Sequence, residues 1–319
     1  MKKKILVHCP ADSTTGGPEA LHQFCSEAQK YLKCEMCYYL NNNAEVPKKF
    51  DIYKISKSNF FDDENTMHII PEISTKYFIN KIFKGKIIIF WLSVDNFFNL
   101  KDRTKIKNLF YYFLSLFTHR KPMVFLKNYI HISQSEYSNS LLKKNNFKFS
   151  YVGDYIRDEC YDLNFKKEKK NFILYNPKKG MDKLLPVIEK LKNQYKFIPL
   201  ENLSSIELKN MLQISKIYID FGRMPGKDRI PREAVLNDCC LIIGKRGAGL
   251  NKEDFSIDEK FKINLNNSNY FEKTQRLLVD IMQNYYQNLD RFKLYKIKTL
   301  NEKLIFKTNV KNFIENEII

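Results

Sequence analysis

Lys216-Ile217-Tyr218-Ile219-Asp220-Phe221-Gly222-Arg223-Met224-Pro225-Gly226-Lys227-Asp228-Arg229-Ile230-Pro231-Arg232-Glu233-Ala234 is the stretch whose reading decides the fold. An apolar strand pattern runs into a Gly/Pro loop that carries several cations, and Pro231 opens a helix. Proline suits the first helical position because its missing N–H would find no intrahelical partner there. The unpaired N–H groups and positive end of that helix then face the loop, beside Lys227, Arg229 and Arg232, and such a place attracts phosphate. Glu233, one turn in, can accept a hydrogen bond from a sugar hydroxyl. Cations beside a carboxylate read as a nucleotide or sugar-phosphate site.

Outward from this stretch, strands and helices alternate in both directions. On the N-terminal side, Ile5–Cys9 is a buried strand, and a polar loop through Gly16-Gly17 leads to a helix started by Pro18. Its apolar stripe is Leu21, Phe24, Cys25, Ala28 and Leu32. Glu35–Leu40, Asp51–Ile55, Lys86–Val94 and His131–Gln134 read as further strands, and Ser135 caps a helix ending at Asn145-Asn146. The charged stretch Lys166–Lys170 separates a second series: strands at Phe172–Tyr175, Tyr195–Leu200, Lys216–Asp220 and Cys240–Gly244, with a Ser204/Glu207 capping box before one of the helices. A long amphipathic pattern follows Tyr270. The alternation predicts an α/β protein of two Rossmann-like domains with parallel sheets, divided as 1–160 and 161–319, with ligands beyond the carboxyl ends of the strands. A length of 319 residues suits two such cores.

A net charge of +18 permits nucleic acid, an anionic membrane or an anionic substrate as partner. The abundance of Lys, Asn, Ile and Tyr is also what an AT-rich genome produces, so a compositional origin for much of the excess is the competing reading. Seven cysteines include one C-x-x-C, Cys34 and Cys37, in a strand-like context with no second pair, which argues against a zinc or redox site. The odd count and adjacent Cys239-Cys240 suit a reducing cytoplasm. The basic opening Met1-Lys2-Lys3-Lys4 precedes an apolar run far too short for a signal peptide, and no run approaches the ~20 residues of a membrane span.

Further candidate residues also follow strand ends. Gly16 and Gly17, with Glu19, would let backbone approach a ligand, although an ordinary βα turn has the same look. Asp95, just past Lys86–Val94, is placed to be a general base, or to cap the next turn. Asn176, Lys178 and Lys179 occupy the first βα turn of the second series, where lysines reach a diphosphate as mobile point charges or simply face solvent. Arg223 lies in the central loop, and Arg246, within Lys245-Arg246-Gly247-Ala248-Gly249, repeats the pairing of cations with permissive backbone. No strand-terminal D-x-D is present to grip a metal–diphosphate, so no metal or other cofactor is expected. Residues 106–117 are aromatic and apolar between basic flanks; a membrane-interface helix and a buried core helix both fit.

Together these residues resemble the two-domain GT-B glycosyltransferases, especially bacterial polysaccharide and lipopolysaccharide transferases, over most of the chain. Gly16-Gly17-Pro18-Glu19 looks like that group's N-terminal glycine-rich loop, and Phe172–Gly180 like the strand and Lys-Gly turn that open its donor domain. Asp220-Phe221-Gly222 through Glu233-Ala234 is similar to its acidic-Phe-Gly…Glu-Ala segment. The resemblance implies that Glu233 binds the donor ribose, that Asp220 lies near the donor sugar, and that Gly16, Gly17 and Glu19 border a cleft. It also implies a C-terminal helix returning to the N-terminal domain. The group commonly separates its two acids by seven residues, whereas twelve intervene here, and the first acid is Asp rather than Glu. The implied activity is metal-independent transfer of a sugar from a nucleotide-sugar donor to a surface-glycan acceptor, free or lipid-linked, at the inner face of the membrane, with no nucleic-acid partner. An epimerase or another phosphate-linked transferase on the same fold is the alternative, and a basic nucleic-acid binder is a third reading.

Overall fold

The computed structural model describes residues 3–41, 43–165 and 168–319. Met1 and Lys2 of the basic opening, and Lys166 and Lys167 of the charged stretch, lie outside the described residues. The chain divides into two compact units, 1–155 with 303–319, and 156–302.

The first unit is built on a six-stranded sheet in the order β2-β1-β3-β4-β5-β6. Its strands are β1 (Lys4–Pro10), β2 (Cys34–Tyr39), β3 (Thr66–Pro71), β4 (Lys86–Trp91), β5 (Ile130–Ser133) and β6 (Phe149–Tyr151). All pairings are parallel, with Ile5 opposite Cys34 and Met67, and Ile88 opposite Ile130. Parallel strands need crossovers, supplied here by α1 (Gly16–Ala28), α2 (Thr75–Ile79), α3 (Val94–Phe97), α4 (Lys105–Thr118) and α5 (Glu136–Lys144). Because both sheet faces are covered, β1 and β4 are apolar on both sides, and Ile5, Leu6, Val7, Ile88, Ile89 and Phe90 are fully buried.

The second unit carries a five-stranded parallel sheet in the order β11-β10-β9-β7-β8. Its strands are β7 (Lys170–Tyr175), β8 (Lys196–Pro199), β9 (Ser215–Asp220), β10 (Cys240–Gly244) and β11 (Lys262–Ile263). Its helices are α6 (Met181–Leu191), α7 (Ser205–Ile214), α8 (Arg229–Leu236), α9 (Tyr270–Gln283) and α10 (Tyr285–Asp290). α11 (Lys293–Glu317) begins in this unit and ends in the first, where Phe306, Val310, Phe313 and Ile314 join the core against Phe24. Their spacing of three and four residues puts them on one helical face.

Several local expectations change. Asp51–Ile55 is not a strand: Lys48–Tyr53 forms a 3-10 turn closed by Lys54 at φ 48°, because the alternation there is too short to outweigh local turn formation. β3 is a strand the sequence pattern did not reveal, its apolar run being broken by His68. α1 starts at Gly16 and α8 at Arg229, each two residues before the expected proline, so both prolines sit in the first turn, where no intrahelical N–H bond is lost. The Ser204/Glu207 capping box forms as expected, and Ser135 caps α5 in a box with Ser138. All seven cysteines are buried free thiols.

Candidate functional site

In each sheet the chain reverses its direction of travel once. In the second unit it moves from β7 outward to β8 and then returns to the other side of β7 as β9. The carboxyl ends of β7 and β9 therefore flank a topological switch point, where open α/β sheets leave a crevice. Two turns meet there. Gly180, at φ 70°, passes so close to the β9 loop that an added Cβ would lie 2.2 Å from the Gly222 nitrogen. Lys179 then lays its stem over Gly222 and places its ammonium 3.0 Å from Asp220 and 2.5 Å from Asp228. Burial disfavours that ammonium, but the Asp228 and Asp220 carboxylates outweigh it and hold the Lys179 pKa above the usual lysine value. Asp220 also accepts from the Tyr218 hydroxyl at 3.0 Å and the Gly222 N–H at 2.8 Å. Its carboxylate is thus organised by the turn that carries it.

The cationic loop is fixed from the other side by the start of α11. Glu302 accepts from Arg232 at 2.7 Å and pairs with Lys227 at 2.5 Å, and all three side chains are nearly or fully buried. Arg232 also donates to the carbonyls of Lys227 and Asp228, so its guanidinium closes the loop onto the helix rather than standing open as expected for a phosphate contact. Arg229 and Glu233 lie one turn apart on α8, 3.6 Å from each other. From β10, Arg246 reaches Asp182 in the first turn of α6 at 3.1 Å, and an Ala248-to-Met224 backbone bond ties the two loops together. Asn176 accepts from the Lys178 N–H at 2.9 Å, which shapes the β7 turn and leaves the Lys178 side chain exposed. Arg223 is half-buried in the same loop. Five of the seven expected cations of this unit, Lys179, Lys227, Arg229, Arg232 and Arg246, pair with the carboxylates Asp182, Asp220, Asp228, Glu233 and Glu302.

The first sheet reverses between β1 and β3. The Gly16-Gly17 turn follows β1, and at Gly17 an added Cβ would meet Leu92 only at an ordinary 3.6 Å, so packing within the protein does not require glycine. Glu19 is fully buried, with the Tyr53 hydroxyl at 3.0 Å and Lys49 at 3.5 Å. Asp95 is fully buried in α3 and accepts from the Tyr137 hydroxyl at 2.7 Å; the turn itself is capped by Ser93. Glu72, directly after β3, is the residue the sequence reading missed. It is buried and accepts the Leu92 N–H at 3.0 Å, and burial pushes its carboxyl up to about 7 against the pull of Leu92 and Arg120. The missing signal was β3 itself: once Thr66–Pro71 is a strand, Glu72 is a strand-end acid at the switch point.

No protein-family model matches the sequence, and no curated protein matches it. Solved structures do resemble it. Anabaena Alr3699/HepE in complex with UDP-glucose superposes with a TM-score of 0.64 at 9% identity, over 98% of this chain and 99% of that one. Sucrose-phosphate synthase from Thermosynechococcus elongatus gives 0.58 at 10% identity, over 98% and 94%. The S. aureus MnaA–UDP co-structure gives 0.57 at 12% identity, over 99% and 98%. The fold is GT-B.

Within the GT-B fold, the expected residues fall into two groups. Asn176, Lys178, Lys179, Asp220, Arg223, Arg229, Glu233 and Arg246 gather at the carboxyl ends of the three central strands of the second sheet, with Lys227 and Arg232 behind them on Glu302. Gly16, Gly17, Glu19 and Asp95 lie beyond the carboxyl ends of β1 and β4 in the first unit. Among the described residues, no group of three or more His, Cys, Asp or Glu side chains is placed to hold a metal ion. No described helix is long and apolar enough to cross a membrane.

Proposed function

We propose that this protein is a glycosyltransferase that moves a sugar from a nucleotide-sugar donor, without a metal ion, to a surface-glycan acceptor of the capsule or lipopolysaccharide type. The observation that carries the reading is the convergence of Lys179, Asp220 and Asp228 at the switch point of the second sheet, with Lys178, Arg223, Arg229 and Arg246 on the adjoining turns. A GT-B fold shared with proteins solved with UDP-glucose and UDP supports it. A diphosphate gains negative charge as the glycosidic bond breaks, and fixed cations at such a place stabilise the transition state most. Lys178, Arg223, Arg229 and Arg246 supply direct contacts, and Glu233 takes the ribose hydroxyls. Lys179 positions the two turns through its carboxylates, while Lys227 and Arg232 hold the loop in register. Asp95 or Glu72 takes the acceptor proton, and a carboxyl with pKa near 7 is suited to that work at neutral pH. The acceptor is lipid-linked, which puts the enzyme at the inner face of the membrane.

The test is melting temperature against nucleoside diphosphates and nucleotide sugars. A ligand that binds only the folded protein at a hundred times its Kd adds ~2.7 kcal/mol, a shift of several degrees. Lys178→Ala, at an exposed position, should weaken the shift while leaving the unliganded melt close to wild type, and Glu233→Gln should abolish the shift even where its buried pair with Arg229 lowers the unliganded melt. No shift with any uridine, guanosine, adenosine, cytidine or thymidine diphosphate or sugar would overturn the reading.

A further inference from the structure

α4 is turned inside out. Its apolar residues recur at Ile106, Leu109, Phe110, Phe113, Leu114 and Phe117, the spacing that normally buries one face of a helix. Here that face is the exposed one: Ile106 is 83% accessible, Phe110 61% and Phe117 76%. The residues α4 buries are polar, Asn108 and Ser115. The 3-10 turn that follows in the chain, Met123–Leu126, exposes Val124 and Phe125. The orientation is fixed by specific bonds. Asn108 accepts from the Lys101 N–H at 3.0 Å and from Arg103 at 2.7 Å, and Arg103 lies 4.0 Å over the Tyr111 ring. Tyr112 packs on Phe98, and Lys121 donates its backbone N–H to Thr75 at 3.0 Å.

We propose that α4 and the 123–126 turn form a docking ridge that lies in the headgroup region of an anionic lipid bilayer. Charge selects this occupant. From Arg103 to Ser135 the sequence has six lysines and arginines, Arg103, Lys105, Lys107, Arg120, Lys121 and Lys127, and no Asp or Glu. A second copy of this face would bring like charges together around an apolar contact, whereas anionic headgroups neutralise the cations while the aromatic side chains enter the acyl boundary. An exposed apolar patch of this extent on a soluble surface marks an interaction site rather than ordinary surface composition. No described helix can span the bilayer, so α4 lies along it. The inference rests on the lipid-linked-acceptor reading for its purpose, but vesicle binding is measured without donor or acceptor, so either can fail alone.

Co-sedimentation with equimolar phosphatidylglycerol/phosphatidylcholine vesicles tests it. The full chain should bind these vesicles, and bind pure phosphatidylcholine about tenfold more weakly. Leu109→Ser/Phe110→Ser/Phe113→Ser should lower binding by about a hundredfold with an unchanged melt, because all three positions already face water. In a Phe113→Trp variant the added indole fluorescence should be quenched by brominated lipid, while the native Trp91, fully buried, stays silent. Wild-type protein that fails to bind the anionic vesicles, Phe113→Trp fluorescence unaffected by brominated lipid, or a wild-type dimer that the serine variant dissociates would each overturn the proposal.

Discussion

Glu302 offers the sharpest test of how the cationic loop is held. Its carboxylate is the shared partner of Lys227 and Arg232, at 2.5 and 2.7 Å, and none of the three side chains is more than 7% accessible. Glu302→Ala removes the carboxylate that two buried cations share. Removing one partner of a buried pair typically costs ~3–5 kcal/mol, because the remaining charge stays desolvated. Arg232 cannot escape by losing its proton, although it keeps its hydrogen bonds to the Lys227 and Asp228 carbonyls, and Lys227 can relax partly toward solvent. The expected loss is therefore ~3–5 kcal/mol, read from urea unfolding followed by far-UV circular dichroism. Lys227→Met/Arg232→Met/Glu302→Leu removes all three charges together and should recover most of that loss, less ~1 kcal/mol for each forfeited carbonyl bond. The single variant should also weaken nucleotide binding, since the loop that carries Arg223 would be freed. A loss below ~1 kcal/mol for Glu302→Ala would refute the view that this carboxylate organises the loop.

Gly180→Ala should destabilise by well over ~1 kcal/mol in thermal melts, since a side chain there needs a positive φ and meets the Gly222 backbone. Gly17→Ala should do the reverse: in the first turn of α1, with ordinary contacts only, it should add up to ~1 kcal/mol of stability, and a fall in transfer activity alongside would show that the site, not the fold, needs the glycine. Glu72 gives a pH signature. Its folded pKa of about 7 lies above the usual carboxyl value of 4.5, so its protonated form stabilises the fold fully below pH 4.5 and that stabilisation is lost as pH rises through 7. The difference between wild type and Glu72→Gln should change by ~3 kcal/mol across that window. The comparison must be made as a difference, because His22 and His131, lowered to about 4 by burial, act in the opposite sense and lose stability as pH falls from 6.5 toward 4. A pH-independent difference would show that Glu72 titrates normally.

Elements with strong periodicity were legible in the chain itself. β1, β4, β7, β9 and β10 are near-continuous apolar runs bounded by turn residues, the pattern of interior strands in parallel sheets. The capping signals at Ser135 and Ser204 were equally local, each requiring only a hydroxyl and a residue three positions on. β3 escaped because His68, which stacks on His8 in the interior, breaks its apolar run, and with β3 went Glu72. The 106–117 segment left two orientations open. Periodicity defines an apolar face but not its direction, and the bonds of Asn108 chose the outward one.

Local sequence therefore determined the succession of strands and helices and the accumulation of cations, glycines and acids after strand ends, since these depend on neighbours a few residues apart. Which cations face a ligand and which are neutralised was decided only by tertiary structure. Arg232 and Lys227 meet Glu302 across some seventy residues of chain, and Lys179 meets Asp228 across nearly fifty. A charge in a sequence has no counter-charge until the fold brings one to it, and in a buried loop that partner decides whether a cation binds or braces.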